Sequence, residues 1–352
     1  MSSLKINPSA DLDFVSLGAL VHRLDPGIIP FHKASECKIH VSGGEFNCAA
    51  NLADCFGMKT GLVSAMVDYP IGHLIAERVR AMGVKPFYKQ FAHNGVNGPN
   101  MATVYSDRGQ GVRAPEVFYN RANEAAALLK VGDFDWKSIF SGGVRLFHSG
   151  GIFASLSEAA PDIIIEGMKA AKAAGAVVSF DLNYREKLWN VSGGKNRAAP
   201  VIDSILQHVD VLIGTNLPSE SPEGHEKEPG LGGCKDRIAR VLHRHPHIKV
   251  VATMLREELS ASRHSWQATA WIDGKIYVSP TAELDIYDRV GGGDGFASGF
   301  FYGLLSGAAP EEAVNIGWAH GALLTTFPGD TTMATLAQVR SIAHGGSARI
   351  QR

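Results

Sequence analysis

What this chain has little of narrows its function before any motif is considered. It has no excess of either charge: 34 lysines and arginines stand against 35 aspartates and glutamates, a formal net charge of −1. Such a balance offers no footprint for nucleic acid or an anionic membrane, so any anion site must be local. Cysteine is scarce, with Cys37, Cys48, Cys55 and Cys234 in no CxxC spacing. These read as reduced, mostly buried thiols of a cytoplasmic protein, not as a disulfide framework. The opening MSSLKINPSADLDF lacks the apolar stretch of a signal peptide. No run of about 18 apolar residues occurs, so no membrane span is expected. GxxxxGK[ST] is absent and no GxGxxG follows the first strand, which excludes a Walker loop and a dinucleotide fingerprint. There is no internal repeat and no heptad pattern. Histidine is plentiful at 14 residues, but the stretch HRHPH (His243 to His247) falls between a helical run and a strand and reads as a solvated turn.

What is present is alternation. A chain of 352 residues, 45% hydrophobic and 20% charged, suits one large α/β unit with an insertion. Strands are predicted at Phe14–Leu20, Lys59–Val67, Val144–Gly151, Ala176–Asn183, Val209–Asn216, Ile248–Leu255 and Gln267–Pro280. Helices are predicted at Phe46–Gly57, Ile71–Val84 and Pro161–Gly175, and from Asp294 and Pro310 onward. The order implies a mainly parallel sheet between helices. Pro26–Ser42 and Gly98–Arg121 break the rhythm, the second with RGQG as a hairpin turn, and together they suggest a small separate sheet acting as a lid. Asn216–Gly233, rich in Pro, Gly and Glu, reads as a long surface loop.

The stretch YDRVGGGDGFASGF holds the chemistry. Gly291, Gly292 and Gly293 lead directly into Asp294 and a helix. A glycine turn at a helix N-terminus presents several N–H groups to an anion, where the helix dipole is positive and no side chain obstructs. A carboxylate beside such a hole repels the ligand unless it has a task, and accepting a proton from an attacking hydroxyl is one. The plainer reading of Asp294 is a helix cap.

DRVGGGDGFASGF resembles the C-terminal signature of the ribokinase-like, phosphofructokinase B type carbohydrate kinases, D-x-x-G-A-G-D, with Gly292 in place of alanine. GGEFNCAANLADCFG (Gly43 to Gly57) resembles the N-terminal signature, and DYPIGHLIAERVRAMGV the segment that follows it. The resemblance runs in family order from about residue 14 to about residue 335. It implies a single kinase domain over 1–352 with a β-sheet lid, using ATP and Mg²⁺. Asp294 is then the base and Gly291, Gly292 and Gly293 the donors to the transferring phosphoryl group. Gly43, Gly44 and Asn47 take sugar-contacting positions, although Asn47 also reads as a helix cap. Asn216, Thr253, Gly291, Gly293 and His320 take nucleotide positions, His320 reading alternatively as a packed helix residue. Glu220, displaced by one residue from the usual N-x-x-E, stands for the Mg²⁺ carboxylate acting through water. Asp288 and the TTFPGD turn stand where some relatives hold K⁺.

SFDLNYREKLW resembles the D-x-N-x-R-x-x-L-W segment of the 2-keto-3-deoxygluconate kinase subgroup. Asp181, Asn183 and Arg185 alternate as at the end of a strand and share a face, and a guanidinium suits a carboxylate or phosphate. Tyr105, Arg108 and Arg121 sit where the subgroup contacts its substrate; the plainer reading of Arg121 is a salt bridge. Two residues depart from the subgroup: Asp107 stands where arginine is frequent, and Ala19 where glutamate is frequent. An aspartate facing an acid sugar would repel it. The sequence therefore supports an ATP-dependent kinase for an acid sugar, with a fructokinase-like or other neutral-sugar kinase as the rival, and a non-catalytic sugar or nucleotide sensor as the rival of another class. A lid sheet with an exposed apolar face further suggests a homodimer. A valine at position 292 is expected to crowd the anion hole, and alanine to be mild.

Overall fold

In the computed structural model, residues 4–218 and 230–346 are described. The chain opens with β1 (Leu12–Leu17), an apolar run almost wholly buried, as an interior parallel strand requires. It then leaves the core for β2 (Val21–Asp25) and β3 (Lys38–Ser42) and returns through α1 (Gly44–Asp54). β4 (Thr60–Asp68) is buried nearly throughout, and α2 (Pro70–Ala81) starts with proline in its first turn, where a missing N–H costs nothing. β5 (Val84–Ala92), β6 (Ala102–Ser106) and β7 (Val117–Asn120) follow. Then come α3 (Trp136–Ile139), β8 (Val144–Gly150), α4 (Gly151–Ala154), α5 (Ala160–Ala173) and β9 (Val177–Asp181). The next stretch supplies α6 (Glu186–Asn190), α7 (Gly194–Leu206), β10 (Val211–Ile213) and α8 (Gly230–Arg244). Four strands, β11 (Val250–Ser260), β12 (Arg263–Ile272), β13 (Lys275–Val278) and β14 (Ala282–Asp285), precede α9 (Gly292–Leu305), α10 (Pro310–Leu324) and α11 (Leu336–Ala343).

The large sheet runs β13-β12-β11-β10-β9-β8-β1-β4-β5, with β14 also paired to β12. From β11 to β5 every neighbouring pair is parallel. β12 is antiparallel to β11, β13 and β14. The predicted mainly parallel sheet between helices is therefore present, with an antiparallel margin. The chain leaves β1 toward β4 on one side and later returns to β8 on the other. A crevice opens at the carboxyl ends of strands where the order reverses in this way. α9 lies close against α10 because glycine permits it: a Cβ on Gly299 would come within 2.9 Å of the Ile316 carbonyl.

The second sheet, β3-β2-β6-β7, is the expected small one, but its bounds differ from the expectation. It begins at Val21, directly after the predicted first strand Phe14–Leu20 and before the predicted lid segment from Pro26, while residues 26–37 hold no strand and only a short 3-10 turn at Phe31–Lys33. Gln267–Pro280 is a hairpin, not one strand: Asp273 and Gly274 both have positive φ, 49° and 85°, as a two-residue I′ turn requires. β5 was missed because lysines and a proline interrupt its pattern, the usual composition of an edge strand. The predicted loop to Gly233 gives way to α8 at Gly230. HRHPH is not wholly solvated either, since His245 is buried against Asp203 at 3.1 Å. Cys48, Cys55 and Cys234 are buried free thiols, and Cys37 is exposed.

Candidate active site

The glycine turn adopts the geometry its sequence demands. Gly291 has φ 80° and caps α9, and a Cβ there would stand 2.3 Å from the Asp330 carbonyl, so only glycine fits. Gly295 N–H donates to the Gly291 carbonyl at 2.7 Å, which leaves the N–H groups of the turn before it without a place in the helix ladder. Asp294 is the third residue of α9 and makes no capping bond. Its Oδ2 accepts instead from Asn47 Nδ2 at 2.7 Å. Asn47 lies inside α1, not at its cap, and its Oδ1 is buried without a partner. A buried unpartnered acceptor costs free energy unless a ligand donor meets it. The two signature segments, 247 residues apart, are thus joined by one hydrogen bond.

α1 is aimed by Gly43, which has φ 139° and whose Cβ would sit 2.2 Å from the Ala19 carbonyl. A Cβ on Gly44 would stand 3.5 Å from both Asp294 Oδ1 and Asn183 Nδ2. Asp181 ends β9, so Asn183 and Arg185 lie beyond the strand, and their convergence comes from a turn and not from strand alternation. Asn183 has φ 29°, and its N–H donates to Asp181 Oδ1 at 3.0 Å. Arg185 is exposed, forms no ion pair among the described residues, and bears electrostatically on both Asp181 and Asp294.

Burial shapes the acidity of this site. Asp294 is pushed up to about 7, chiefly by desolvation; the Asn47 hydrogen bond opposes this and the Asp181 charge adds to it. Desolvation likewise raises Asp181 to about 6. A third carboxyl, Glu45, was not singled out from sequence. It is 5% exposed and is pushed up to about 8 by burial, with Asp294 and Asp181 adding to the effect. Its oxygens fill space left by Gly18 and Gly150 at the ends of β1 and β8. Two arginines were also missed. Arg256 on β11 and Arg289 before the glycine turn both pair with Glu258, and Arg256 is lowered by burial and then by the nearby charges of Arg289 and Arg185. Their sequence signal was weak, because single arginines in a strand and a turn carry no spacing.

Gly293 is exposed, and a side chain there would meet only Met254 Cε, at 4.0 Å, whereas a Cβ on Gly292 would meet Trp266 and Thr325 at 3.1 and 3.3 Å. The position facing open space is therefore 293, and the expectation that valine at 292 crowds an anion hole is corrected: position 292 faces the core. Asn216 is exposed beyond the carboxyl end of β10, and Thr253 is partly exposed on β11 just past the last residue paired with β10, Ala252. Glu220 lies outside the described residues.

Several expected site residues are held elsewhere. His320 is fully buried inside α10, its Nδ1 2.6 Å from the Gly295 carbonyl and its ring against Phe56, so it braces α9 and cannot reach a nucleotide base. Arg121 pairs through Nη1 with buried Glu124 at 2.6 and 2.8 Å, the salt-bridge reading. Tyr105 stacks on Phe118 in the small sheet. Arg108 binds Asp25 at 2.6 Å and lies over the Tyr287 ring. Asp107 is buried and accepts from the N–H groups of Gly109 and Glu116 at 2.8 and 3.2 Å, so it shapes its own turn. Asp288 is engaged by Arg23 at 2.6 Å. Among the described residues no group of three or more His, Cys, Asp and Glu side chains is placed to hold a metal ion.

A ribokinase-like α/β fold with a separate small sheet, and a glycine turn opening a helix whose partly buried aspartate lies at the large sheet's carboxyl ends, define a kinase of small hydroxylated molecules. Residues 30–336 match the pfkB family of carbohydrate kinases, and the chain belongs to that family. It is 26% identical over 341 residues to a 2-dehydro-3-deoxygalactonokinase of Haloferax volcanii, covering 97% of this chain and 99% of the relative. It is 25% identical over 350 residues to a 5-dehydro-2-deoxygluconokinase of Geobacillus kaustophilus, covering 96% of each. The crystal structure of a 2-dehydro-3-deoxygluconokinase from Thermotoga maritima superposes with a TM-score of 0.86 at 29% identity, over 95% of this chain and 100% of that one. The protein is a carbohydrate kinase.

Proposed function

We propose that this kinase transfers the γ-phosphoryl group of ATP to a hydroxyl of a keto-deoxy sugar acid, with 2-keto-3-deoxygluconate as the first candidate. The observation that carries this reading is Arg185: an exposed guanidinium with no carboxylate partner among the described residues, beside the proposed base Asp294. A planar fork left open in a site lined by three acidic groups suits a ligand carboxylate. The departure that favoured a neutral sugar loses its force, because Asp107 is turned into its own loop. The three relatives described above are each named for a keto-deoxy sugar acid.

In this mechanism Gly43, Gly44, Asn47, Asp181 and Asn183 surround the sugar, and the unpartnered Asn47 Oδ1 accepts from one of its hydroxyls. The N–H groups of Gly291, Gly292 and Gly293 and the dipole of α9 receive the transferring phosphoryl group, with Arg256 and Arg289 near its path. The substrate oxygen bonds to the γ-phosphorus as the bond to the β-phosphate oxygen breaks. The hydroxyl proton passes to Asp294, whose raised affinity suits proton transfer near neutral pH. Asn216 and Thr253 would flank the nucleotide. Mg²⁺, when bound, would supply charge neutralisation for the phosphates of ATP; Glu220, the residue proposed to hold it through water, lies outside the described residues. The small sheet would cover the site as a lid and exclude water. Its exposed Ile39 and Phe118, with Ile28 and Ile29 of the connection between β2 and β3, suit contact with a second copy. No described helix is long and apolar enough to cross a membrane.

The test is a substrate panel with ATP and Mg²⁺, setting keto-deoxy hexonates against ketoses of the same carbon skeleton. Preference for the acids supports the reading. Equal or better turnover of fructose would replace it with the neutral-sugar kinase.

A further inference from the structure

Behind the glycine turn lies a second cluster of charges that the phosphoryl-transfer chemistry does not use. Arg23, on β2 of the small sheet, is 0% exposed. Its Nη2 donates to Asp288 Oδ2 at 2.6 Å and its Nε to Asp330 Oδ1 at 2.7 Å, while Nη1 stands 4.0 Å from Asp25 Oδ2. Arg108, also from the small sheet's connections, pairs with Asp25 at 2.6 Å and stands 3.9 Å from Asp288. His40 Nε2 is 3.3 Å from the same Asp25 oxygen. Asp288 and Asp330 are the residues that shape the turn: Asp288 Oδ1 accepts from Val290 N–H at 3.1 Å, its Oδ2 from Gly329 N–H at 3.2 Å, and the Asp330 carbonyl packs against Gly291.

The resemblance described above puts a K⁺ ion at Asp288 and the TTFPGD turn in some relatives. The residues here do not fit one. Asp288 Oδ2 is taken by a guanidinium and a backbone N–H, and Asp288 Oδ1 by another N–H. The atoms left without a partner in the cluster are Arg23 Nη1 and Asp330 Oδ2, a donor and an acceptor. That pair suits a water molecule, which offers both roles; a metal ion beside Nη1 would face a fixed positive charge. Arginine cannot discharge itself by losing a proton, so its charge is permanent.

We infer that Arg23 is a tethered internal cation that replaces a monovalent metal ion beside the anion turn and clamps the small sheet to the loops that shape it. Unlike a dissolved ion it needs no minimum concentration, so the enzyme works without K⁺. Arg23 is a positioning residue, acting through Asp288, Asp330 and the turn.

Two measurements on the full-length protein test this. The first is melting of the substrate-free wild type in potassium, sodium and tetramethylammonium chloride at equal ionic strength, paired with phosphoryl-transfer rates in the same salts. Melting is expected to agree within about 1 °C and rates within about two-fold across the three. A saturable, potassium-specific rise in melting temperature, or a potassium-specific activation of about five-fold or more, overturns the inference. Because melting uses no substrate, this arm stands apart from the proposed sugar specificity. The second is Arg23→Gly, in which added guanidinium or K⁺ should restore turnover several-fold while choline does not. A folded Arg23→Gly protein with wild-type turnover and no cation response also overturns it, and if that variant does not fold, the wild-type salt series decides alone.

Discussion

Two clusters of three carboxyl groups lie on either side of the glycine turn, and they differ in the partners that meet them. On one side Asp25, Asp288 and Asp330 are met by the guanidiniums of Arg23 and Arg108 within hydrogen-bonding distance. Asp25 is held well below the usual carboxylate range: its bonds to His40, Arg108 and Gly27 and the Arg23 charge overcome desolvation, the largest single influence. Even there the balance is local, since Asp288 is raised, desolvation outweighing Arg23. On the other side Glu45 is buried and Asp181 and Asp294 partly so, with no guanidinium in contact, and desolvation pushes all three up, to about 8, 6 and 7. The same residue types serve stability where cations complete them and reactivity where they do not. An incomplete cluster is one a ligand can complete.

Removing the cation from the complete cluster should have the largest effect. Arg23→Met leaves Asp288 and Asp330 without their main partner, and breaking such a buried pair costs about 3–5 kcal/mol. Denaturant unfolding at pH 7 should report that loss, and lowering the pH should return part of it as the stranded carboxyls take up protons. A loss under about 1 kcal/mol would mean the two clusters do not differ as described.

Next comes Asp294→Asn in the incomplete cluster. Turnover should fall by roughly 10² or more, the scale of a lost general base, with substrate affinities within a few-fold. In the wild type kcat/KM should rise with pH through about 7 as Asp294 loses its proton, and the variant should lose that limb. Linkage adds a stability readout. A carboxyl raised from 3.8 to about 7 binds more protons folded than unfolded between those values. Wild-type stability therefore falls as pH rises through that window. The asparagine variant lacks this loss, so its stability relative to wild type should be greater at pH 8 than at pH 5. Parallel melting profiles would remove the case for a destabilised base.

Arg185→Lys keeps the charge and loses the fork. A bidentate charge-assisted contact of about 1.5–3 kcal/mol predicts a ten- to hundred-fold drop in kcat/KM for a sugar acid. The drop should be much smaller for a ketose of the same skeleton. Equal losses on both would put Arg185 on the nucleotide phosphates and favour the neutral-sugar kinase.

The smallest contrast sits within the turn that separates the clusters. Gly293→Val projects into open space and should lower turnover with little change in melting. Gly292→Ala meets Trp266 and Thr325 and should cost about 1 kcal/mol of stability while turnover holds. The reverse pattern would mean that position 292, not 293, faces the phosphoryl group.

The sequence by itself determined the strand–helix alternation that makes most of the parallel sheet, the glycine turn before Asp294 and the membership of the two signatures in one kinase family. These rest on local chemistry: alternation, helix punctuation and spacing are properties of neighbouring residues, so they can be read along a line. Gly43 and Gly291 belong here too, because their positive φ limits what may occupy them. Only the tertiary structure decided which charged side chains face a ligand and which face each other. Arg108, Arg121 and Arg185 look alike in sequence, yet Asp25, Glu124 and open solvent await them. Asp107 seemed poised to repel a substrate until its carboxylate was found bonded within its own turn. Arg23 and Asp330, 307 positions apart, meet only because β2 folds over the loop after α10, and a charge's effect is set by distance and burial in space, not by separation along the chain.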